Sequence, residues 1–346
     1  MKRDGANLSI WQKDMPGYTP VISGNDLKTF DVIIVGGGIT GITTACMLQT
    51  SGMNCMVAEA QNLAFGTTSG TTAHLNTILD YTWSELEKKI GEENNRLLLK
   101  AVMEAIEIAK TNVEKFNIDC DFETKKGYLY ATDEKQKKEL DNALQASQKA
   151  GCSVTTVDRI TVPVPFKKAL VYDHQAQMHP VKYVYGLAKA FEKAGGIIMQ
   201  NCRVTSVDEQ PDKLLTVQTS KGEFFAHKLV YATHISPGVN ILHFRCAPYR
   251  SYVIAARLEG DYPTDPAYDM EEPYHYYRTQ MIDGRPYLVA GGEDHRTAEV
   301  TDTNAQFENL DNYVRKFFNI EEIAFRWSSQ YFESADALPY IGHLPG

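Results

Sequence analysis

Hydrophobic residues fall along the chain in two rhythms. Residues 31–35 and 55–58 are short runs, apolar at nearly every position, as in parallel strands buried on both faces. Residues 83–117 and 133–150 repeat apolar positions at three and four, the spacing of amphipathic helices. Gly91 predicts a break that divides the first of these into two helices, with Met103 and Phe116 among its core positions. Residues 124–132 and 169–173 read as strands, and 153–166, with Pro163 and Pro165, as irregular. Pro180 suits the first turn of a helix that closes at Gly195 and Gly196. Residues 197–200 follow as a parallel strand, 202–208 lead into a hairpin of 214–219 and 224–226, and 228–232 form a separate strand returning to the sheet. From 247 to 330 strands dominate, at 250–258, 273–280, 286–290 and 324–331, with one helix at 304–318. Tyr249, Tyr252, Tyr274, Tyr276 and Tyr277 crowd this region, which predicts an antiparallel sheet with one face over a pocket.

The chemistry is concentrated between the first two buried runs. Gly36, Gly38 and Gly41 stand in G-x-G-x-x-G spacing at the end of the first strand. Gly36 suits the tight turn, Gly38 lets a pyrophosphate approach the backbone, and Gly41 lets helix and strand pack closely. Residues 42–49 read as the helix, whose free N–H groups and positive dipole end suit an anion. Glu59 ends the second strand, where an acid accepts hydrogen bonds from ribose hydroxyls. Strand, turn, helix, strand and acid together predict a dinucleotide site without choosing between FAD and NAD. The next stretch, 61–76, QNLAFGTTSGTTAHLN, is rich in Thr, Ser and Gly. It reads either as a loop running close to the cofactor or as a solvated turn.

Size and charge narrow the class. The 346 residues suffice for about two domains. A net charge of −9 with no basic run argues against nucleic acid or an anionic membrane as partner. No apolar stretch approaches the roughly 18 residues of a membrane span, and the first residues lack an apolar signal core, so a cytoplasmic protein is expected. Six scattered cysteines form no C-x-x-C or C-x-H pair, and no metal site is expected.

The motifs in sequence order resemble the D-amino-acid-oxidase and glycine-oxidase family of FAD-dependent oxidoreductases. The resemblance rests on VGGGITG with Glu59, on GTTSGTTAHL, HPVKYVYGLAKAFEKAGG, LVYATHISPG, YLVAGGEDH and DALPYIG, and so covers nearly the whole chain. GTTSGTTAHL, GGEDH and the lead-in around Trp11 look most like the subgroup that carries a Rieske iron–sulfur domain after the flavin part. The fold implied is α/β: a Rossmann-type FAD-binding domain with a parallel sheet, interleaved with an α+β substrate domain built on an antiparallel sheet. Residues 1–82, 152–245 and 325–346 would form the first, 83–151 and 246–324 the second. The family continues past PYIG with a further strand and helix, which makes a truncated chain the expectation. A Rieske [2Fe-2S] cluster would then belong only to a missing C-terminal domain, since its ligand pairs are absent here.

The resemblance assigns the FAD pyrophosphate to Gly36, Gly38 and Gly41 with Ile39 and Thr40, and the ribose to Glu59 with Ala60. Thr67, Thr68, Thr72, Ala73 and His74 would lie along pyrophosphate and flavin. Val204 would read the adenine through its backbone, and Ala232 and Thr233 would flank the cofactor. Relatives that bind flavin covalently use a histidine at the position of Gly70, so non-covalent FAD is expected here. Relatives that oxidise amino acids carry a carboxylate-binding arginine at the position of Tyr331, so a simple amino acid is not the expected substrate. Arg278, with Tyr276 on the same face, Tyr252 on the neighbouring strand, and His74, is the candidate set for positioning a small-molecule substrate. The implied reaction is oxidation of an amine or amino-acid-like C–N bond by hydride transfer to flavin, with an iron–sulfur domain or oxygen as acceptor. A non-catalytic, redox-sensing flavoprotein module is the alternative.

Overall fold

The computed structural model describes residues 7–21, 28–238 and 241–343, so the outer ends of segments 1–82 and 325–346 lie outside the described residues. Two sheets organise them. The first has six strands, in the order Ile197–Met199, Cys55–Ala58, Thr29–Val35, Gly222–Tyr231, Leu215–Thr219 and Val204–Glu209. The first four are parallel and the last two antiparallel. Helix Ile39–Thr50 packs over this sheet against helix Pro180–Lys193, burying Ile42, Ala45 and Cys46 in one cluster with Val184, Leu187 and Phe191. The second sheet runs Ile320–Ser334, Cys246–Leu258, Arg285–Arg296, Tyr276–Ile282, Ala267–Tyr268, Glu123–Ala131, Lys168–Gln177 and His74–Leu75, with Val154–Val157 on Lys168–Gln177. All its pairings are antiparallel except Ala267–Tyr268 with Glu123–Ala131.

This is the α/β architecture with a parallel dinucleotide-type sheet and a largely antiparallel second sheet. Gly91, at φ +81°, does separate helices Trp83–Ile90 and Glu92–Phe116. Thr82 caps the first of these with Glu85 in a reciprocal capping box. Three details differ from the sequence reading. Residues 222–231 are one unbroken strand: residues 222–226 pair with Leu215–Thr219 and residues 225–231 with Thr29–Val35, so hairpin arm and returning strand are the same element. Met103 is 40% exposed, since the long helix turns that face to water, while Phe116 packs against the core. Strand Lys168–Gln177, and residues 325–334 of strand Ile320–Ser334, come from segments expected in the cofactor domain but hydrogen-bond into the second sheet. Among the described residues no helix is long and apolar enough to cross a membrane.

Candidate cofactor and substrate site

The crevice begins where Thr29–Val35 ends. Gly36 turns at φ +112°, and a Cβ there would stand 2.6 Å from Ala232 O. A Cβ at Gly41 would overlap Gly36 O, so helix, turn and the end of Gly222–Tyr231 approach too closely for any other residue. Gly38 is the N-cap of helix Ile39–Thr50 and, lacking a side chain, leaves the first N–H groups uncapped by itself. The Ile39 N–H donates to Thr68 Oγ1 at 3.0 Å, and a Cβ built on Gly38 would meet only that hydroxyl, at 2.9 Å. The space over the helix N-terminus is therefore bounded by one threonine, a fit for an anionic pyrophosphate. Thr40 is exposed in the first turn.

Glu59 follows Cys55–Ala58 and reaches back to the turn. Its Oε2 accepts from the Gly37 N–H at 2.6 Å and its Oε1 from the Gln61 N–H at 2.7 Å, next to Ala60. Each oxygen keeps lone-pair capacity for ribose hydroxyls. The Glu59 carbonyl accepts from Cys202 N–H, two residues before Val204, so Val204 stands at the same edge. Thr233 Oγ1 is turned to Ile235 O, and Ala232 N–H continues the ladder to Val35 O.

The loop after Glu59 is not a solvated turn. It holds a short helix, Thr67–Gly70, and a short strand, His74–Leu75, and three distant side chains grip its carbonyls. Trp327 Nε1 donates to Gly70 O at 2.9 Å and Trp11 Nε1 to Thr71 O at 2.6 Å. Arg278 Nη1 donates to Thr72 O at 2.7 Å, Ala73 O at 3.0 Å and Met178 O at 3.4 Å. Its Nη2 bonds Gln280 Oε1, and the guanidinium lies 5.4 Å from the Trp11 ring. Ala73 sits at φ +54°, a left-handed conformation that alanine holds only under constraint. Gly70 has no room for a side chain: a Cβ would stand 2.5 Å from Ser329 Oγ.

Strand register decides which side chains face this loop. Tyr276 pairs with Gly291 and Tyr252 with Gly292, so the two tyrosines point to opposite faces. The loop-facing wall carries Tyr276, Arg278, Tyr268, Ser251, Trp327 and Tyr331. Tyr252 is on the far side, bonded to His295 Nε2 at 2.9 Å and packed on Phe307 of helix Thr303–Val314. Its expected substrate role is thereby corrected: the alternation sends it into the core under that helix. Arg278 is corrected likewise. It is fully buried and both terminal nitrogens are committed to the protein, so it supports the loop instead of presenting a fork to an anion. Burial pulls its pKa down, yet a guanidinium stays charged at neutral pH.

His74 stands where loop meets wall. Its Nδ1 lies 2.5 Å from Tyr268 Oη, which also accepts from Asn76 Nδ2 at 2.9 Å. That network leaves the Tyr268 proton for Nδ1 and assigns the imidazole proton to Nε2. Nε2 is buried without a partner, and Tyr276 meets the ring edge-on at 5.5 Å. Burial, then the Arg278 charge, holds the His74 pKa well below its usual value, so the ring is neutral.

Sequence reasoning missed Asp294 and Asp80. Asp294 follows Gly292 and Glu293, both at positive φ, and that irregularity turns its carboxylate onto the wall. Both its oxygens are shielded from water and neither completes a hydrogen bond, although Ser251 and Tyr331 are its neighbours. Burial, then the Asp80 charge against the pull of Ser251 and Tyr331, pushes its pKa up to about 6. Asp80 is open to water on one side and hemmed in on the other. Desolvation and then Glu333 raise its pKa. The signal in the sequence was the Gly291–Gly292 pair before Glu293 and Asp294, which allows a break in strand alternation.

His275 is separate from this wall. It bridges Asp269 Oδ2 at 3.0 Å and Glu293 Oε1 at 3.4 Å and stacks on Tyr313 at 3.6 Å. Asp269, Glu271 and His275 offer ligand atoms within 4.8 Å of one another, but the Asp269 oxygens are taken by His275 and the Tyr313 hydroxyl.

A parallel sheet with a glycine turn, an acid reaching the turn, and a pinned loop crossing to a tyrosine wall define a dinucleotide-dependent oxidoreductase architecture. The chain belongs to the DAO family of FAD-dependent oxidoreductases, which it matches over residues 31–346. It is 28% identical over 318 residues to YhfW of Bacillus subtilis, a protein named for a Rieske 2Fe-2S centre. That alignment covers 91% of this chain and 62% of YhfW, so the chain spans about three fifths of that relative. It is 24% identical over 345 residues to the gamma-glutamylputrescine oxidoreductase of Escherichia coli, covering 94% of this chain and 79% of the other. Glycine oxidase from Geobacillus kaustophilus superposes with a TM-score of 0.72 at 17% identity, over 92% of this chain and 86% of that one.

Proposed function

We propose that the protein binds FAD non-covalently in the glycine crevice and oxidises an amine or amino-acid-like C–N bond. The observation that carries this reading is His74 Nε2, a buried donor without an acceptor, at the junction of the pinned loop and the tyrosine wall. Bound FAD supplies the hydride acceptor. The chain's own residues hold and orient. The Gly38–Ile39 backbone and Thr68 take the pyrophosphate, and Glu59 takes the ribose. Arg278, Trp11 and Trp327 fix the loop so that His74 and Thr72 meet the cofactor in one geometry. In the substrate the C–H hydrogen would leave with its bonding pair as hydride for the bound FAD to accept, the nitrogen lone pair would form the C=N bond, and one N–H proton would go to water. The reacting nitrogen must be neutral, and no side-chain base is required. We read the electron acceptor as an iron–sulfur centre, by analogy with the name of YhfW.

Anaerobic mixing of the flavin-loaded protein with amines and amino acids tests this. The flavin absorbance should bleach with at least one donor, and reoxidation by oxygen should be slow relative to an iron–sulfur acceptor. Full FAD occupancy with no bleaching across the panel would indicate a non-catalytic flavin module.

A further inference from the structure

Two segments flank the glycine turn, and one side-chain bond joins them across it. On one side stand Ala232 and Thr233, just past strand Gly222–Tyr231: a Cβ on Gly36 would lie 2.6 Å from Ala232 O and 3.6 Å from Thr233 Cγ2. On the other side Thr68 Oγ1 accepts from the Ile39 N–H at 3.0 Å. The next residue along the chain from Thr233 is His234, and the one before Thr68 is Thr67. These two bond to each other, Thr67 Oγ1 to His234 Nδ1 at 3.1 Å. Gly36, Ala232, His234, Thr67, Thr68 and Ile39 therefore close a circuit around the turn. Either tautomer of the imidazole completes it, because a hydroxyl both donates and accepts.

The two ends of the loop are held differently. Residues 70–73 hang from Trp327, Trp11 and Arg278, all fully buried. The Thr67 end is tied to the strand end by His234, which is exposed, so this bond opens toward water without disturbing the core. His234 sits at φ +72°, in the left-handed region, where a residue with a β-carbon is held only at a cost. Its ring meets Phe332 edge-on at 4.9 Å, so strand Ile320–Ser334 backs it. A strained backbone with its ring bonded to one neighbouring segment and packed on another marks a position kept for a task.

We propose that His234 is a positioning residue that retains FAD: it latches Thr67 across the crevice, and the dinucleotide enters and leaves when that bond opens. This rests on the FAD-binding reading above. The test follows FAD release from the loaded protein after dilution, as free flavin collected through a size-exclusion filter at timed intervals. Glycine accepts the His234 backbone without strain, so His234→Gly removes the ring and keeps the turn, and its circular dichroism should match the parent's. Release should quicken about fivefold or more, the loss of one net hydrogen bond. Thr67→Val should quicken it likewise, and Thr67→Ser, which keeps the hydroxyl, should restore the slow rate. The double variant His234→Gly, Thr67→Val should release FAD no faster than the quicker single, since both remove one bond. Effects that multiply in the double variant would mean that each residue acts on FAD separately, and would overturn the latch. Release from His234→Gly at the parent's rate overturns it as well. If His234→Gly cannot be loaded, Thr67→Val against Thr67→Ser decides: equal rates overturn the latch, and faster release from valine alone supports it. A parent protein that binds no FAD overturns the FAD reading itself.

Discussion

A Cβ at Gly38 would stand 2.9 Å from Thr68 Oγ1, the hydroxyl that accepts from the Ile39 N–H at the helix N-terminus, and valine's added methyls would extend into the space above that turn. Gly38→Val should therefore abolish FAD retention while the sheet beneath remains folded, which absorbance of the purified variant and its circular dichroism together report. Glu59→Ala removes a carboxylate from both Gly37 and the ribose, and should weaken FAD binding by about 1–3 kcal/mol in a titration. Arg278→Met strands the Thr72 and Ala73 carbonyls and should destabilise the fold by about 3 kcal/mol in denaturant, with weakened FAD binding. A change confined to substrate KM would return Arg278 to the role of anion grip. Asp294 gives a pH signature. Its folded pKa is raised from 3.8 to about 6, so ionising it costs stability as pH climbs through that window and the cost is constant above it. In the FAD-free protein, Asp294→Asn should gain Tm over the parent progressively between those values and hold the gain at higher pH. An equal gain at low pH would contradict burial of the charge.

At the scale of elements, the loop from Gly66 to Leu75 is the joint between the two sheets. Its carbonyls hang from Trp11, Trp327 and Arg278, and Trp327→Phe should cost about 1 kcal/mol for the lost bond to Gly70 O. Limited proteolysis of that variant should cut the loop faster, whereas an unchanged cleavage rate would mean the tryptophan is not an anchor. Local pattern made some elements legible in the sequence and not others. The strand Cys55–Ala58 and the break at Gly91 were legible because burial on both faces and a positive-φ glycine leave a local mark. The continuity of Gly222–Tyr231 was not, because one strand changes partner midway and its polar middle mimics a turn. The pyrophosphate turn could be read from three glycines and an acid. The wall could not: which of Tyr252 and Tyr276 faces the loop depends on register with Gly291 and Gly292, and Asp294 reaches the wall through two positive-φ residues.

For the whole molecule, one segment whose carbonyls are held by Trp11, Trp327 and Arg278 joins the crevice of one sheet to the wall of the other. Ligand that binds only the folded state stabilises it by mass action, about 2.7 kcal/mol at a hundredfold excess over Kd. FAD should raise the Tm of the intact protein and leave Gly38→Val unchanged. The most direct test of the central claim is therefore a titration of FAD-free protein with FAD and, separately, with NAD, followed by flavin or nicotinamide fluorescence. The account predicts stoichiometric FAD binding that Gly38→Val eliminates and no comparable NAD binding. Tight NAD binding, or FAD binding indifferent to Gly38, would contradict it.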